Sequence, residues 1–322
     1  MRIKKLPTTV VTGFLGAGKT TLVNHLLDAT RPMQIGIVVN EFGEVGIDGQ
    51  LIVADENPVI EINNGCVCCT VRTDLVASVK ALLASHGDRL ERLIVETSGL
   101  ADPAPVLQTF LADPDIRDRI ELEAVVAVVD AMHASEQLND DIAREQIAFA
   151  DRVIVNKTDV ATSETVSSLL TRLKQVNPTA RVDLARYSTI SVDALFGIRS
   201  FSLDTLLSIE PDLLSDDAHD HEHDDSIASC AFIVPGALDA DRFNRWVNQL
   251  VQTDGASLLR MKGVLSLRSE PRKLHFHSVH MLLESSFGKP WRADEARESR
   301  FVVIGRNVDA ERIKADLLSC ID

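Results

Sequence analysis

Short, continuous apolar runs alternate along the chain with stretches in which apolar residues recur at helical spacing. The runs are "TTVV" (8–11), "IGIVVN" (35–40), "PVIEI" (58–62), "RLIVE" (92–96), "AVVAVVD" (124–130), "RVIVN" (152–156) and "RVDLAR" (181–186). Strands apolar at nearly every position and separated by helices predict a parallel sheet covered on both faces. The helical stretch after the first run carries Leu22, Val23, Leu26 and Leu27 on one side. The one after the third carries Leu75, Val76, Val79, Leu82 and Leu83, with Thr73 or Asp74 as its expected N-cap.

This pattern fades near Phe201, and "SDDAHDHEHDDS" (215–226) is charged and almost without apolar residues, which reads as a linker or exposed loop. Beyond it the pattern predicts strand "ASCAFIV" (228–234), helix "DADRFNRWVNQLVQ" (239–252) and strands "GVLSLR" (263–268) and "KLHFHSV" (273–279). Strand "RFVVIG" (300–305) and helix "DAERIKADLLSC" (309–320) follow. That order suggests a small antiparallel sheet with helices on one face. The expected fold is α/β: a domain with a mostly parallel sheet over 1–205, an acidic, His-rich linker over 206–226, and a smaller α+β domain over 227–322.

The bulk numbers narrow the function. A chain of 322 residues with 45% hydrophobic and 25% charged residues is ordinary globular material, long enough for two cores. A net charge of −15 with no basic patch argues against nucleic acid or an anionic membrane as partner. No 18-residue apolar stretch occurs, and "MRIKKLPTTVV" is too short for a signal peptide, so a soluble, cytoplasmic protein is expected. Five cysteines, three of them within four positions, make a poor disulfide framework and point to metal ligation or redox chemistry.

The chemistry begins at "GFLGAGKTT" (13–21), which follows an apolar strand and opens a helix. Gly13, Gly16, Ala17, Gly18, Lys19, Thr20 and Thr21 fit a phosphate loop. Glycines let backbone N–H groups close around phosphate oxygens, Lys19 adds a full charge, and the Thr20 hydroxyl suits Mg²⁺. "NKTD" at the end of a later strand supplies Asn156, Lys157 and Asp159. The Asp159 carboxylate can accept from the ring N–H and exocyclic amine of guanine, a pairing that adenine does not offer. "ETSG" puts Glu96 and Gly99 in the places of a D-x-x-G element, where Glu96 would help to hold Mg²⁺ through water and Gly99 would offer its N–H to a γ-phosphate. A helix-capping role for Glu96 is the alternative. "NEFGEVGID" (40–48) has the acids and glycines of a loop that responds to the γ-phosphate.

A second chemistry lies in "NNGCVCC" (63–69). Cys66, Cys68 and Cys69 follow a turn that lets adjacent thiols converge, and three thiolates bind zinc or a similar ion with one tetrahedral position left for transfer. Packing as small hydrophobes and redox sensing are the competing readings. His219, His221 and His223 alternate with acids and share one side of an extended linker, which suits weak metal loading or plain solvation. His275, His277 and His280 fall in or just after a C-terminal strand, where packing is at least as good an account as ligation.

Together "GFLGAGKTT", "NEFGEVGID", "NNGCVCC", "ETSGLADP", "NKTD", "LLRMKGVLSL", "KLHFHSVH" and "GKPW" resemble the CobW-type GTPases, metal-trafficking relatives of the nickel-insertion GTPases. The resemblance covers nearly the whole chain. It implies GTP and Mg²⁺ at the phosphate loop, with Lys19 and Glu96 as catalytic residues. It further implies Zn²⁺, Co²⁺ or another transition metal at a C-x-C-C site, and a C-terminal domain that engages a client metalloprotein. A homo-oligomer is compatible with the sequence. The competing classes are a regulatory GTPase with structural zinc, acting through a protein partner, and an ATP-dependent transferase, which Asn156, Lys157 and Asp159 disfavour.

Overall fold

The computed structural model describes residues 5–42, 57–64, 70–197 and 227–321. The chain divides into two compact units, one of residues 1–172 with 180–200, the other of residues 173–179 with 201–322.

In the first unit, with the last turn of α7 falling in the second, the elements run β1 (Leu6–Thr12), α1 (Lys19–Ala29), β2 (Ile35–Phe42), β3 (Val59–Asn64), α2 (Thr70–His86), β4 (Arg92–Thr97), α3 (Ala104–Ala112), α4 (Pro114–Arg119), β5 (Ile120–Asp130), α5 (Ala134–Gln137), α6 (Asp141–Phe149), β6 (Arg152–Asn156), α7 (Ser163–Val176) and β7 (Arg181–Leu184). All seven apolar runs are strands. They form one sheet in the order β3-β2-β4-β1-β5-β6-β7, and every pairing is parallel. Burial on both faces explains the unbroken apolar runs: all five residues of β6 are buried. Leu22, Val23, Leu26 and Leu27 of α1 join Val11, Ile37, Val126 and Ile154 of four strands in one core. β1 therefore stands at the centre, and the loop that leaves its carboxyl end lies where open α/β sheets bind ligands.

Helix α2 begins at Thr70, ahead of the N-cap expected at Thr73 or Asp74. Thr70, Val71 and Arg72 include no helix breaker, so the helix extends back toward the cysteines.

The second unit contains β8 (Ile227–Pro235), α8 (Ala240–Asp254), β9 (Leu258–Leu265), β10 (Arg272–Val279), β11 (Leu282–Pro290), β12 (Glu298–Arg306) and α9 (Ala310–Ser319). Its strands form an antiparallel sheet in the order β11-β10-β9-β12-β8. Two expectations are corrected here. β9 starts at Leu258 rather than Gly263, because Arg260 and Lys262, which interrupt its apolar pattern, are nevertheless buried. β11 had no apolar signal, since as an edge strand it leaves Glu284, Ser285, Ser286 and Phe287 exposed.

Asp239 and Asp309 cap α8 and α9, each accepting from the backbone N–H three residues on. Both helices feed one core with Phe276 and Phe301 of the sheet. The Phe243 ring meets Phe276 edge-on at 5.5 Å, and Phe276 stacks on Phe301 at 5.6 Å. Trp246 Nε1 donates to Asp316 Oδ2 at 3.2 Å, tying α8 to α9. Truncating the central ring, Phe301→Ala, should destabilise this unit by about 3–5 kcal/mol through lost transfer energy and cavity formation. Both tryptophans, Trp246 and Trp291, lie in this unit, so urea unfolding followed by tryptophan fluorescence should show an earlier transition.

Candidate functional site

The phosphate loop is shaped by three glycines with positive φ: Gly13 at 135°, Gly16 at 74° and Gly18 at 108°. Two of them also permit close approaches. A Cβ on Gly13 would sit 2.1 Å from the Val128 carbonyl oxygen of β5, and one on Gly18 would sit 2.5 Å from Asn156 Nδ2. Only glycine satisfies both the dihedral and the space. Gly18 also forms the N-cap of α1 in a left-handed conformation, so the helix opens with its N–H groups facing the loop.

Lys19 is buried and its Nζ donates to the Phe14 carbonyl at 3.4 Å, across the loop. Thr20 Oγ1 donates to Glu96 Oε1 at 2.8 Å. Glu96 is buried near the carboxyl end of β4, beside Val11 of β1 and Val39 of β2. Gly99 lies against the loop, for a Cβ there would meet the Leu15 backbone at 2.6 Å. The structure thus brings Gly13, Gly16, Ala17, Gly18, Lys19, Thr20, Glu96 and Gly99 into one site, with Thr21 exposed on the first turn of α1.

Asn156 ends β6 and is 2% exposed. Its Nδ2 donates to the Ala17 carbonyl and to Ser188 Oγ, each at 2.9 Å, while its Oδ1 accepts from the Ser188 backbone N–H at 2.8 Å. Ser188 Oγ in turn donates to the Gly18 carbonyl at 2.9 Å. Tyr187 and Ser188 both adopt positive φ, which leaves Tyr187 76% exposed and turns Ser188 inward. Lys157 also has positive φ, and its Nζ donates to Asp130 Oδ2 at 2.8 Å. Asp159 stands exposed beyond it, with its carboxylate accessible.

Two of the supporting residues, Asp130 and Gln146, escaped the sequence reading; Ser188 falls, with Tyr187, in the segment after the seventh apolar run that the sequence offers as a base-contacting loop. Asp130 ends β5 and gathers Lys157, His133 Nδ1 at 3.1 Å and the Met132 N–H at 2.9 Å. Burial raises its carboxyl pKa, but those hydrogen bonds outweigh burial and hold it below the usual carboxylate range. Gln146 of α6, buried, donates to the carbonyls of Gly99 and Ala101, each at 3.2 Å, and fixes the segment after Glu96. The Ser188 hydroxyl completes the set. The only sequence signal for Asp130 was an acid closing an apolar strand, and Gln146 stands in no motif with a fixed offset.

Cys66, Cys68 and Cys69, residues 43–48 of the glycine-acid loop, and His219, His221 and His223 lie outside the described residues. Among the described residues no group of three His, Cys, Asp or Glu side chains is arranged to hold a metal ion. His277 Nε2 pairs with Glu284 Oε2 at 3.1 Å, and His275 packs on Gly288, where a Cβ would meet Nε2 at 2.5 Å. Burial, with Lys273 nearby, pushes the His275 imidazole below its usual pKa. No helix among the described residues is long and apolar enough to cross a membrane.

Comparison with known proteins agrees with this geometry. The CobW/HypB/UreG nucleotide-binding domain matches residues 7–183, and the cobalamin synthesis protein cobW C-terminal domain matches residues 227–321. The chain is 35% identical over 317 residues to the zinc chaperone YjiA of Escherichia coli, covering 96% of this chain and 97% of that protein. It is 32% identical over 360 residues to the zinc chaperone CobW of Pseudomonas aeruginosa, covering 99% and 92%. The crystal structure of Zn(II)-bound YjiA GTPase from E. coli superposes with a TM-score of 0.76 at 30% identity, over 99% of this chain and all of that one. A relationship that runs through the phosphate loop, the β6 arm and the antiparallel sheet alike leaves one assignment: the chain belongs to the CobW family of P-loop GTPases and carries that family's C-terminal domain.

Proposed function

We propose that the chain is a GTP-hydrolysing metallochaperone that holds zinc, or cobalt or a related transition metal, on Cys66, Cys68 and Cys69 and passes it to a client protein under nucleotide control. In this reading residues 1–205 form the GTPase domain, 206–226 a linker and 227–322 the client-facing domain. One observation carries it. In the strand order β3-β2-β4-β1, the carboxyl end of β3, two residues before Cys66, is separated from the phosphate loop by only three strand spacings, about 14 Å. β2, whose exit leads into the glycine-acid loop, lies between β3 and the strand that bears Glu96.

The residues suit Mg²⁺–GTP. A loop whose three glycines hold positive φ suits backbone N–H groups to phosphate oxygens, and a buried carboxylate paired with a hydroxyl is a hard-cation donor set. Thr20 and Glu96 would hold the Mg²⁺, which when bound neutralises charge on the β- and γ-phosphates. Lys19 would exchange the Phe14 carbonyl for a phosphate oxygen, and the Gly99 N–H would face the γ-phosphate. Asp159 would accept from guanine, with Lys157 held alongside by Asp130. His219, His221 and His223 serve, in this reading, as a weak loading site for the metal.

Two outcomes are expected. Asp159→Asn should weaken GTP binding and admit xanthosine triphosphate, because an amide donates where a carboxylate only accepts; competition against a fluorescent GTP analogue measures both, and equal wild-type affinities for ATP and GTP would contradict the guanine assignment. The metal should bind more tightly with a non-hydrolysable GTP analogue than with GDP, by roughly 5–150-fold, the range typical of linked sites. Changing the three cysteines to Ser should abolish that difference and leave GTP binding intact. Titration against a chelator of known strength decides it: equal affinities in the two nucleotide states would leave a GTPase with a structural metal, the regulatory alternative.

A further inference from the structure

The segment after β7 turns back on itself within two residues. Arg186 and Thr189 face each other in an isolated antiparallel bridge, and the Thr189 N–H donates to the Arg186 carbonyl at 2.9 Å. The central pair, Tyr187 and Ser188, hold φ at 51° and 54°, the positive values that a type I′ turn requires. Asn, Asp and Gly suit those positions, whereas a bulky aromatic residue there is a steric outlier that persists only where something else offsets its strain. For Ser188 the offset is visible: its N–H donates to Asn156 Oδ1 and its hydroxyl to the Gly18 carbonyl. For Tyr187 the fold supplies none. Its ring is 76% exposed and makes no hydrogen bond or ring contact with any described residue.

The turn is held from both flanks. Immediately before it, the Ala185 carbonyl accepts from the N–H and the hydroxyl of Thr158, at 3.2 and 2.9 Å, which ties the turn to the middle of the Asn156–Asp159 loop. On its other flank the Ser188 hydroxyl reaches Gly18, where α1 begins. Tyr187 is thereby carried at a fixed tip between the phosphate loop and Asp159. Asp159 is exposed as well, and its carboxylate has no partner among the described residues. Two groups that the fold does not use, one flat and apolar, one a pure acceptor, thus stand on neighbouring loops.

A carboxylate that accepts from the edge of a base fixes the base within its own plane and covers neither of its faces. Those faces are π-surfaces, which an aromatic ring covers whatever the base. We propose that Tyr187 stacks on the face of the base that Asp159 grips by its edge, so that the strained turn places a ring for the nucleotide rather than for the fold. The inference rests on the nucleotide reading above and divides its work: Asp159 selects guanine, and Tyr187 adds affinity that any base can use.

Tyr187 is the sole tyrosine of the chain, so ¹³C labelling of tyrosine in the full-length protein gives one set of ring signals. Mg²⁺–GDP should move those ring protons upfield through the ring current of the base, and Mg²⁺–tripolyphosphate, which has no base, should not. Tyr187→Asn suits the turn but lacks the ring. By calorimetric titration it should weaken GDP and inosine diphosphate by the same factor, about 5–150-fold, while Tyr187→Phe binds both as the wild type does. The thermal midpoint of nucleotide-free Tyr187→Asn should not fall, because Asn tolerates positive φ better than Tyr. Unchanged GDP affinity in Tyr187→Asn, or ring protons that GDP moves no more than tripolyphosphate does, would overturn the stacking; so would a lowered midpoint, which would give the ring a role in the fold instead. Equal wild-type affinities for GDP and ADP would remove the guanine assignment of Asp159 and leave the stacking in place, so the two readings fail separately.

Discussion

The nucleotide site depends on the buried amide of Asn156. Its donor nitrogen holds the phosphate loop through Ala17, and its oxygen holds the segment after β7 through the Ser188 N–H. The Ser188 hydroxyl closes the circuit onto Gly18. With Asn156 2% exposed, replacing it would leave several polar groups without partners in a low-dielectric interior, at about 1–3 kcal/mol for each. The same crowding fixes Gly18, where any side chain would strike this amide. Loop shape, base arm and helix start are thus one interdependent arrangement, and a three-atom amide sets all of them.

β1 divides the sheet into halves with different work. To one side, β5 and β6 end in Asp130 and Asn156, and the residues that follow are those proposed to contact the base. To the other side, β4 carries Glu96, then β2 leads to the glycine-acid loop and β3 to the cysteines. The phosphate loop leaves the central strand and touches both halves: Gly13 lies on β5, Thr20 reaches Glu96 of β4 and Ala17 is held from β6. In the proposed reading a change at the γ-phosphate would therefore be felt first on the β4 side, with the base held from the other.

What the sequence made legible follows from how each signal arises. The seven parallel strands were readable because burial on both faces demands unbroken apolar runs, and the phosphate loop because φ and space together exclude everything but glycine at Gly13 and Gly18. β11 was not readable, since an exposed edge strand with Ser285, Ser286 and Gly288 has no hydrophobic requirement to satisfy. β9 was read short because Arg260 and Lys262 look like surface positions until tertiary packing buries them. Asp130 and Gln146 support the site from elements 26 and 10 residues away from Asn156, and no periodicity records which distant side chains will meet. Motif residues that touch the nucleotide have fixed offsets; the residues that hold them are selected by the fold.

The magnitudes also constrain how metal would leave. A structural zinc site with a complete ligand set has an apparent binding free energy of about 10–16 kcal/mol, against which nucleotide coupling of about 1–3 kcal/mol is small. Hydrolysis on that scale shifts affinity but does not expel an ion from thiolates. The three cysteines supply one ligand fewer than a closed tetrahedral site needs, which is where the difference is made up. In the proposed reading Cys66, Cys68 and Cys69 would hold the ion and a client would supply the fourth ligand, so that the ion would pass by exchange rather than by release. On that reading nucleotide state would bias the direction of an exchange that the client makes kinetically accessible. Docking of the client would then belong to the transfer step itself.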